Sequence, residues 1–188
     1  MRNQTLNLGL RLLIITLVAG AALGLTQSVT EPARIEVERK AMQESLEAVY
    51  PGATFTEMSE EAVAACGIAE VNKAYVAKEK DQEGLVVDVS TKGSQGLVQV
   101  YVGLDAEGQV VGLTIGENSE TPGIGDKAAK PEFLDQFLNK AAAVQLVKST
   151  SGKEDEIAGV TGATYTSRAV VNAVNLAGQF QTAMEGGQ

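Results

Sequence analysis

The sequence predicts an α+β fold, with a single N-terminal transmembrane helix followed by one domain that contains a small antiparallel sheet and flanking helices. Three observations support this prediction: an uncharged apolar run at residues 12–25, short strand-like runs between residues 74 and 115, and helical apolar spacing at both ends of the soluble part. Strands and helices that are segregated along a chain are typical of this class. A length of 188 residues suits one anchor and one domain of ordinary size.

The apolar run predicts a membrane anchor. Residues 12–25 read LLIITLVAGAALGL, and residues 8–10 extend the run past Arg11, so its length is near the minimum for a bilayer span. The eight Leu, Ile and Val side chains in residues 12–25 favour insertion by about 2 to 5 kcal/mol, which offsets an arginine that snorkels near one end. The same segment also fits a cleaved secretory signal with Ala19-Gly20-Ala21 as its cleavage site, but we expect a retained anchor.

Charge asymmetry predicts the topology of that anchor. Arg2 and Arg11 come before the uncharged run of residues 12–25 and Glu31 is the first charge after it, so the positive-inside rule places the N-terminus in the cytoplasm. We therefore expect a single-pass protein of the cell membrane, with residues 1–7 as a cytoplasmic N-terminus, 8–26 as the transmembrane helix, and 27–188 as an extracytoplasmic domain.

The soluble part begins with an amphipathic helix and continues with strands. After Pro32, the residues from Ala33 to Val49 show helical apolar spacing, and Pro51-Gly52 ends the helix. Residues 57–69, which include Cys66, predict no definite element. Four strand-like runs then predict an antiparallel meander, namely Ala74 to Lys80, Leu85 to Ser90, Leu97 to Gly103 and Gln109 to Ile115. A loop (Gly116 to Gly125), a short helix from Pro131, a strand at Ala143 to Val147 and a helix from about Thr166 to Met184 complete the chain.

Composition excludes several kinds of chemistry. The chain has no histidine, so a serine or cysteine nucleophile has no imidazole partner and a metal ion has no imidazole ligand. Cys66 is the one cysteine, so an internal disulfide is excluded, as is an iron–sulfur cluster held by four thiolates of this chain. With 24 acidic against 15 basic side chains, the formal net charge of -9 disfavours nucleic acid as a partner. We expect no metal site, and redox chemistry only through an organic cofactor. We expect Cys66 itself to be a buried small hydrophobe, or else a thiol that meets a partner's cofactor.

The segment from Gly159 to Ser167 reads GVTGATYTS and places four aliphatic hydroxyls just before the last helix. A helix N-terminus presents unpaired N–H groups and attracts anions such as phosphate, and small residues let the backbone approach a ligand closely. The alternative is that Thr166 or Ser167 only caps the helix.

The residues from Thr161 to Thr166 resemble the S/T-G-A-T-x-T/S signature of FMN-binding domains. These domains occur in the G subunit of the Rnf complex and in the C subunit of the sodium-pumping NADH:quinone oxidoreductase. The resemblance implies that Thr166 bears FMN through a phosphoester bond installed by a dedicated flavin transferase. The family often has an acidic residue three places before the first hydroxyl, where this chain has Ala158.

A second motif occurs in the family's order. The residues from Glu120 to Gly125 resemble the family's E-T-P-G-L-G loop, which lies against the flavin, and Phe133 to Phe137 match its continuation. Taken alone, the loop predicts a tight turn with a left-handed Gly123, and Glu120 is either a flavin contact or an acceptor that stabilises the loop. A histidine that commonly precedes the loop is replaced here by Asn118-Ser119. The resemblance implies that, besides Thr166, the cofactor-binding residues are Thr161, Gly162, Ala163, Thr164, Ser167, Glu120, Thr121, Pro122 and Gly123.

The function that this resemblance implies is electron transfer within a membrane-bound, ion-translocating ferredoxin:NAD oxidoreductase. The chain would be a redox subunit with covalent FMN and no catalytic residue of its own. Its partners would be the other Rnf membrane subunits, above all the one that carries a second covalent flavin, together with the flavin transferase and the lipid bilayer. Two alternatives are the C subunit of the quinone-reducing pump and a flavin-free, membrane-tethered binding domain.

Overall fold

The computed structural model describes residues 2–80, 82–121, 123 and 125–186, with side chains from residue 7 onward. The chain divides into two units, Met1–Ala41 and Met42–Gln188. The second unit contains a five-stranded sheet, a two-stranded sheet and four of the five helices. Together with the long apolar helix at the N-terminus, this architecture confirms the predicted α+β fold.

Helix α1 spans Arg2–Val49 without interruption, although Pro32 lies inside it. The sequence predicted a helix from Ala33 to Val49; its helical state and its end are confirmed, but its start after Pro32 was wrong, because the helix is continuous with the apolar segment. A proline removes one backbone hydrogen bond, while the turns that follow are supported by ion pairs of Arg34 with Glu38 and Lys40 with Glu36, both at 3.2 Å.

The part of α1 from Asn7 onward is long and apolar enough to cross a membrane. In its most apolar stretch the described side chains have no protein cover; Leu12 is 64% exposed and Leu23 is 73% exposed. Large apolar side chains without protein cover fit a lipid environment, so the helix indicates membrane association.

The main sheet is an antiparallel meander in the order β1-β2-β3-β4-β5, as the sequence predicted for its last four strands. The strands are β1 (Thr54–Glu57), β2 (Val71–Glu79), β3 (Gln82–Lys92), β4 (Leu97–Leu104) and β5 (Val110–Asn118). Helix α2 (Glu60–Ala65) lies within residues 57–69, which the sequence left unassigned, and β1 ends at the first residue of that stretch. Cys66 caps α2 and packs, partly buried, against the main core.

The remaining elements lie on the C-terminal side of the meander. They are α3 (Gly125–Ala128), α4 (Pro131–Leu134), a 3₁₀ turn (Asp135–Phe137), β6 (Gln145–Val147), β7 (Glu156–Ala158) and α5 (Thr164–Gly186). Strands β6 and β7 pair in parallel. Only β6 was predicted, because β7 has a single large apolar residue, Ile157, directly after an acidic run.

The main core lies between α5 and one face of the sheet. Of the residues Val170, Val174, Ala177 and Met184, which the helical spacing predicts along one side of α5, the first three are fully buried and Met184 is partly buried against this core. Ala169 and Ala173 are fully buried as well. Thr91 Oγ1 of β3 donates to the Ala169 carbonyl at 2.8 Å and fastens the first part of the helix to the sheet. The opposite face is covered by the last turn of α1 around Leu46 and Val49. The N-terminus of α5 is thereby held near one end of β3.

Candidate functional site

The two sequence motifs meet at one buried hydrogen bond. Thr166 Oγ1, in the first turn of α5, donates to Glu120 Oε2 at 3.1 Å. Thr166 is 1% exposed and Glu120 is 8% exposed. The structure therefore brings together the threonine and the acidic residue that the sequence placed in separate motifs.

Glu120 is held from its other side by the turn between β3 and β4. Its Oε1 accepts from the Ser94 N–H at 2.7 Å and from the Gln95 N–H at 3.1 Å. A Cβ on Gly93 would lie 2.4 Å from Oε1, and a Cβ on Gly125 would lie 2.7 Å from the Glu120 Cβ. Glu120 therefore acts as an acceptor that ties its loop to this turn, and its contact with a flavin stays a prediction.

Sequence reasoning missed this contribution of the β3–β4 turn. The available signal was a pair of glycines, Gly93 and Gly96, flanking Ser94-Gln95 between two strands. Such a pattern predicts a turn, but it does not indicate which distant side chain the turn's N–H groups will bind. The hydrogen bonds from this turn to Glu120 could therefore be identified only from the structure.

The loop after Glu120 adopts the expected turn in the part that is described. Gly123 has a φ of 81°, in the left-handed region, as the sequence predicted. Its N–H donates to Asp126 Oδ2 at 2.8 Å, while the Thr121 carbonyl accepts from the Gly125 N–H at 3.3 Å. Thr121 is exposed, and the predicted site residue Pro122 lies outside the described residues.

Helix α5 begins at Thr164, inside the signature, two residues earlier than predicted. The alternative that Thr166 or Ser167 only caps the helix is wrong, because Ala163 precedes the first helical residue. Ser167 is fully buried, where its Oγ accepts from the Val160 N–H at 3.1 Å and donates to the Ala163 carbonyl at 2.9 Å. Ser167 thus fastens the signature loop onto the helix.

The start of α5 offers backbone donors. Among the residues that the structure describes, no acceptor bonds the N–H groups of Thr164, Tyr165 or Thr166. Gly162 has a φ of 82°, and a Cβ there would meet Lys127 Nζ at 3.6 Å. Unpaired N–H groups and an ammonium group near one turn form an arrangement that suits a phosphate.

A cleft of ≈ 450 Å³ adjoins the signature. Its lining includes Lys127 and Lys130 on one side and the chain from Ala158 to Val160 on the other. Neither lysine forms an ion pair within the described part of the chain. Gln136 holds the wall in place, since its side-chain amide bonds both the N–H and the carbonyl of Ala158, at 2.8 and 3.2 Å.

The other sequence-predicted residues differ in their exposure. Thr161, Gly162 and Thr164 are exposed, while Ala163 is buried. Tyr165, between Thr164 and Thr166, is 63% exposed, and the Arg168 guanidinium lies 5.9 Å from its ring centroid. Residues 133–137, which matched the family's continuation, supply two buried phenylalanines, Phe133 and Phe137, whose rings pack edge to face at 5.4 Å.

A second buried carboxylate lies on the opposite face of the sheet. Asp88 of β3 accepts from Asn72 Nδ2 and from Gln99 Nε2, each at 2.9 Å. Burial raises the pKa of Asp88 above its ordinary value, although the two amide donors oppose this shift. Burial and the neighbouring Asp88 raise the pKa of Tyr101 to about 12. No motif or spacing in the sequence distinguishes this cluster.

Comparison with known proteins gives a family match over the region that contains both motifs. The FMN-binding domain family matches residues 93–179. The chain is 35% identical over 182 residues to the G subunit of the Na(+)-translocating ferredoxin:NAD(+) oxidoreductase complex of Acetobacterium woodii, and the match covers 90% of this chain and 87% of the relative. It is 28% identical over 182 residues to the G subunit of the ion-translocating oxidoreductase complex of Methanosarcina acetivorans, with 93% of both chains covered.

A solved structure shows the same fold. It is the C subunit of the Na(+)-translocating NADH-quinone reductase from Parabacteroides distasonis, with a TM-score of 0.53 and 24% sequence identity. The match covers 62% of this chain and 63% of the other. At that identity the likeness concerns the fold alone.

Proposed function

The chain belongs to the family of G subunits of ion-translocating ferredoxin:NAD oxidoreductase complexes, and we propose that it carries electrons there through FMN bonded covalently to Thr166. One observation carries the proposal. The signature threonine lies in the first turn of α5, where three backbone N–H groups have no acceptor among the described residues and the Lys127 ammonium lies beside the preceding loop.

The donors at this turn fit the phosphate of FMN. Backbone N–H groups at a helix N-terminus and a lysine ammonium are both suited to a phosphate oxygen. Gly162 suits the loop because its φ of 82° lies in the left-handed region, and Lys127 Nζ lies near its backbone. We propose that the exposed hydroxyls of Thr161 and Thr164 add further donors, and that Thr121 and Gly123 contribute from the loop.

A covalent bond suits a site whose noncovalent affinity for a phosphate is low. A helix N-terminus stabilises an anion by about 0.3 to 1 kcal/mol, and by about 2 kcal/mol in a partly buried setting. Such an interaction alone holds a nucleotide weakly, whereas an ester at Thr166 holds it permanently. FMN, when bound, supplies electron transfer at its ring, and attachment through the phosphate leaves that ring free for other contacts.

We propose the following membrane topology and partners for this electron-carrying subunit. Residues 1–7 lie in the cytoplasm, 8–26 cross the membrane once, and 27–188 form the extracytoplasmic FMN-binding domain. Its partners are the other membrane subunits of the complex, above all one that carries a second covalent flavin, and a flavin transferase acts on it during maturation. Relatives named as G subunits over about nine-tenths of this chain favour this assignment over a C subunit of the quinone-reducing pump.

The experiment that tests the proposal measures covalent flavin directly. The full chain is produced with a flavin transferase, unfolded, and analysed by intact mass and in-gel fluorescence, alongside Thr166→Ala and Thr182→Ala. Thr182 lies in the same helix and is exposed, so it serves as the matched control. We expect the parent and Thr182→Ala to gain the mass of FMN less one water, and Thr166→Ala to gain none.

A parent chain that stays unmodified, while the transferase labels a known acceptor, would overturn the covalent assignment. The flavin-free, membrane-tethered binding domain would then be the function to test.

A further inference from the structure

The hydroxyl of Thr166 is aimed at a single proton acceptor. Among the described residues its only hydrogen-bond partner is Glu120 Oε2, at 3.1 Å. A hydroxyl that donates to a carboxylate keeps its own lone pairs for another atom, and its proton already points at a base. The chain contains no histidine that could take this role.

The carboxylate is fixed before any reaction takes place. Its Oε1 is engaged by the N–H groups of Ser94 and Gln95, so Oε2 is the oxygen left for Thr166. The Glu120 N–H donates to Asn118 Oδ1 at 3.2 Å, which holds the backbone as well. A base held in position by its neighbours is more effective than one that must be ordered during the reaction.

We propose that Glu120 accepts the Thr166 hydroxyl proton when the flavin phosphoester forms, so the acceptor domain supplies the base for its own modification. This inference rests on the proposed covalent attachment at Thr166. It assigns Glu120 a chemical role in maturation, in addition to its role in stabilising the loop.

The step balances with an activated flavin nucleotide, that is, a flavin phosphate held in a phosphoric anhydride and delivered by the transferase. A bond forms between Thr166 Oγ1 and the flavin phosphorus, and the anhydride P–O bond breaks. The leaving nucleotide departs with the bridging oxygen and its electron pair, and the hydroxyl proton passes to Glu120 Oε2. No group is oxidised or reduced.

The burial of Thr166 is compatible with this role. Since the residue is only 1% exposed, its oxygen has to be uncovered in the complex with the transferase. The two hydrogen bonds from Ser94 and Gln95 tie the Glu120 carboxylate to the β3–β4 turn, and they keep this carboxylate in place while Thr166 is uncovered.

The test compares initial rates of FMN incorporation into the full chain in detergent, measured by intact mass against time. Glu120→Gln keeps the size of the side chain and an oxygen for Ser94 and Gln95, but its amide cannot take the proton. We expect its rate to fall about 100-fold or more, the usual contribution of a general base. Glu120→Asp keeps a carboxylate and should be faster than Glu120→Gln and Glu120→Ala.

Asp105→Asn is the matched control, because this carboxylate accepts from the backbone N–H groups of Glu107 and Gln109 in the β4–β5 turn and makes no hydrogen bond to Thr166. It should be labelled at the parent rate, and thermal melting of every variant checks that it is folded. If Glu120→Gln fails to fold, the rates of FMN incorporation in Glu120→Asp and Glu120→Ala are compared instead. Faster incorporation in the Asp variant supports a carboxylate base.

Two results would overturn the inference: labelling of folded Glu120→Gln at the parent rate, or an Asp variant no faster than Ala. A parent that takes up no flavin at all would instead contradict the proposed function. The two failures are therefore distinguishable.

Discussion

Glu120 and Asp88 are both buried carboxylates, but their donors are of different kinds. Asp88, 4% exposed, accepts from the side-chain amides of Asn72 and Gln99, which lie on the two strands beside it. Glu120 accepts from two backbone N–H groups and from the hydroxyl of Thr166.

The different donors indicate a structural role for Asp88 and a chemical role for Glu120. The donors of Asp88 join neighbouring strands, so its hydrogen bonds contribute to the stability of the sheet. One donor of Glu120 is the hydroxyl of the signature threonine, so its hydrogen bond also positions a reactive group. The comparison predicts that changes at Asp88 alter the free energy of unfolding, while changes at Glu120 alter the rate of modification.

Removal of the Asp88 carboxylate should have the largest effect on stability. Asp88→Ala removes the acceptor of two side-chain hydrogen bonds, although Asn72 Nδ2 still donates to Ser90 and Gln99 Nε2 to Tyr101. We expect the free energy of unfolding to fall by about 1.5 to 3 kcal/mol, the usual contribution of hydrogen bonds to a charged group. Thermal or urea unfolding of the full chain in detergent measures this loss. FMN incorporation at Thr166 should stay close to the parent level in molecules that remain folded.

Asp88→Asn is the control, since it retains one acceptor oxygen and should lose less stability than the alanine variant. A folded Asp88→Ala that unfolds like the parent but fails to take up flavin would reverse the comparison.

A smaller loss of stability is expected at the turn that holds Glu120. A Cβ on Gly93 would lie 2.4 Å from Glu120 Oε1 and 2.7 Å from Val98 Cγ2, so Gly93→Ala forces the carboxylate to shift. We expect it to cost about 1 to 3 kcal/mol, as overpacking usually does, and also to slow FMN incorporation. The melting temperature and the rate of labelling are measured on the same preparation.

Gly186→Ala controls for the added methyl group, because no atom lies within 4 Å of a Cβ at that position. Unchanged labelling in Gly93→Ala would show that the position of Glu120 at this turn does not matter for modification.

The smallest effect concerns pH, and it contrasts Asp88 with Glu156, which is held by the N–H and hydroxyl of Ser151. Burial raises the pKa of Asp88 above 3.8, so the stability it contributes is present below that pH and is lost as the pH rises through its folded pKa. The Ser151 donors lower the pKa of Glu156 below 4.5, so its contribution is present above that pH and is lost as the pH falls through its folded pKa.

Thermal unfolding of Asp88→Asn and Glu156→Gln between about pH 3 and pH 7 checks these signs. Relative to the parent, the first variant should lose a component of stability that decreases with rising pH, and the second a component that decreases with falling pH. Shifts of the same sign in both variants would contradict the assigned causes.

Local patterns allowed much of the fold to be predicted from the sequence. Alternating apolar residues separated by short turns predicted four consecutive antiparallel strands, and the buried stripe of α5 followed from helical spacing. The boundaries were less accurate: α1 continues through Pro32, and α5 begins at Thr164 rather than near Thr166. Strand β7 escaped prediction because Ile157 is its single large apolar residue and an acidic run precedes it.

The candidate site, like the fold, could be predicted only in part from the sequence. Thr166 and Glu120 could be selected from their motifs, but the bond between them joins residues that are 46 positions apart. The donors Ser94 and Gln95 and the small residue Gly93 belong to no motif, so their part in the site became visible only from their contacts with Glu120.

The sequence by itself determined the apolar anchor segment, the order of the strands, the two motifs and the exclusion of histidine chemistry, because each depends on residue type and on spacing within a short stretch. The tertiary structure alone decided which oxygen of Glu120 faces Thr166, which turn holds that carboxylate and how Asp88 is satisfied. Those contacts depend on strand register and on the seating of α5 against the sheet, and short-range patterns do not specify either.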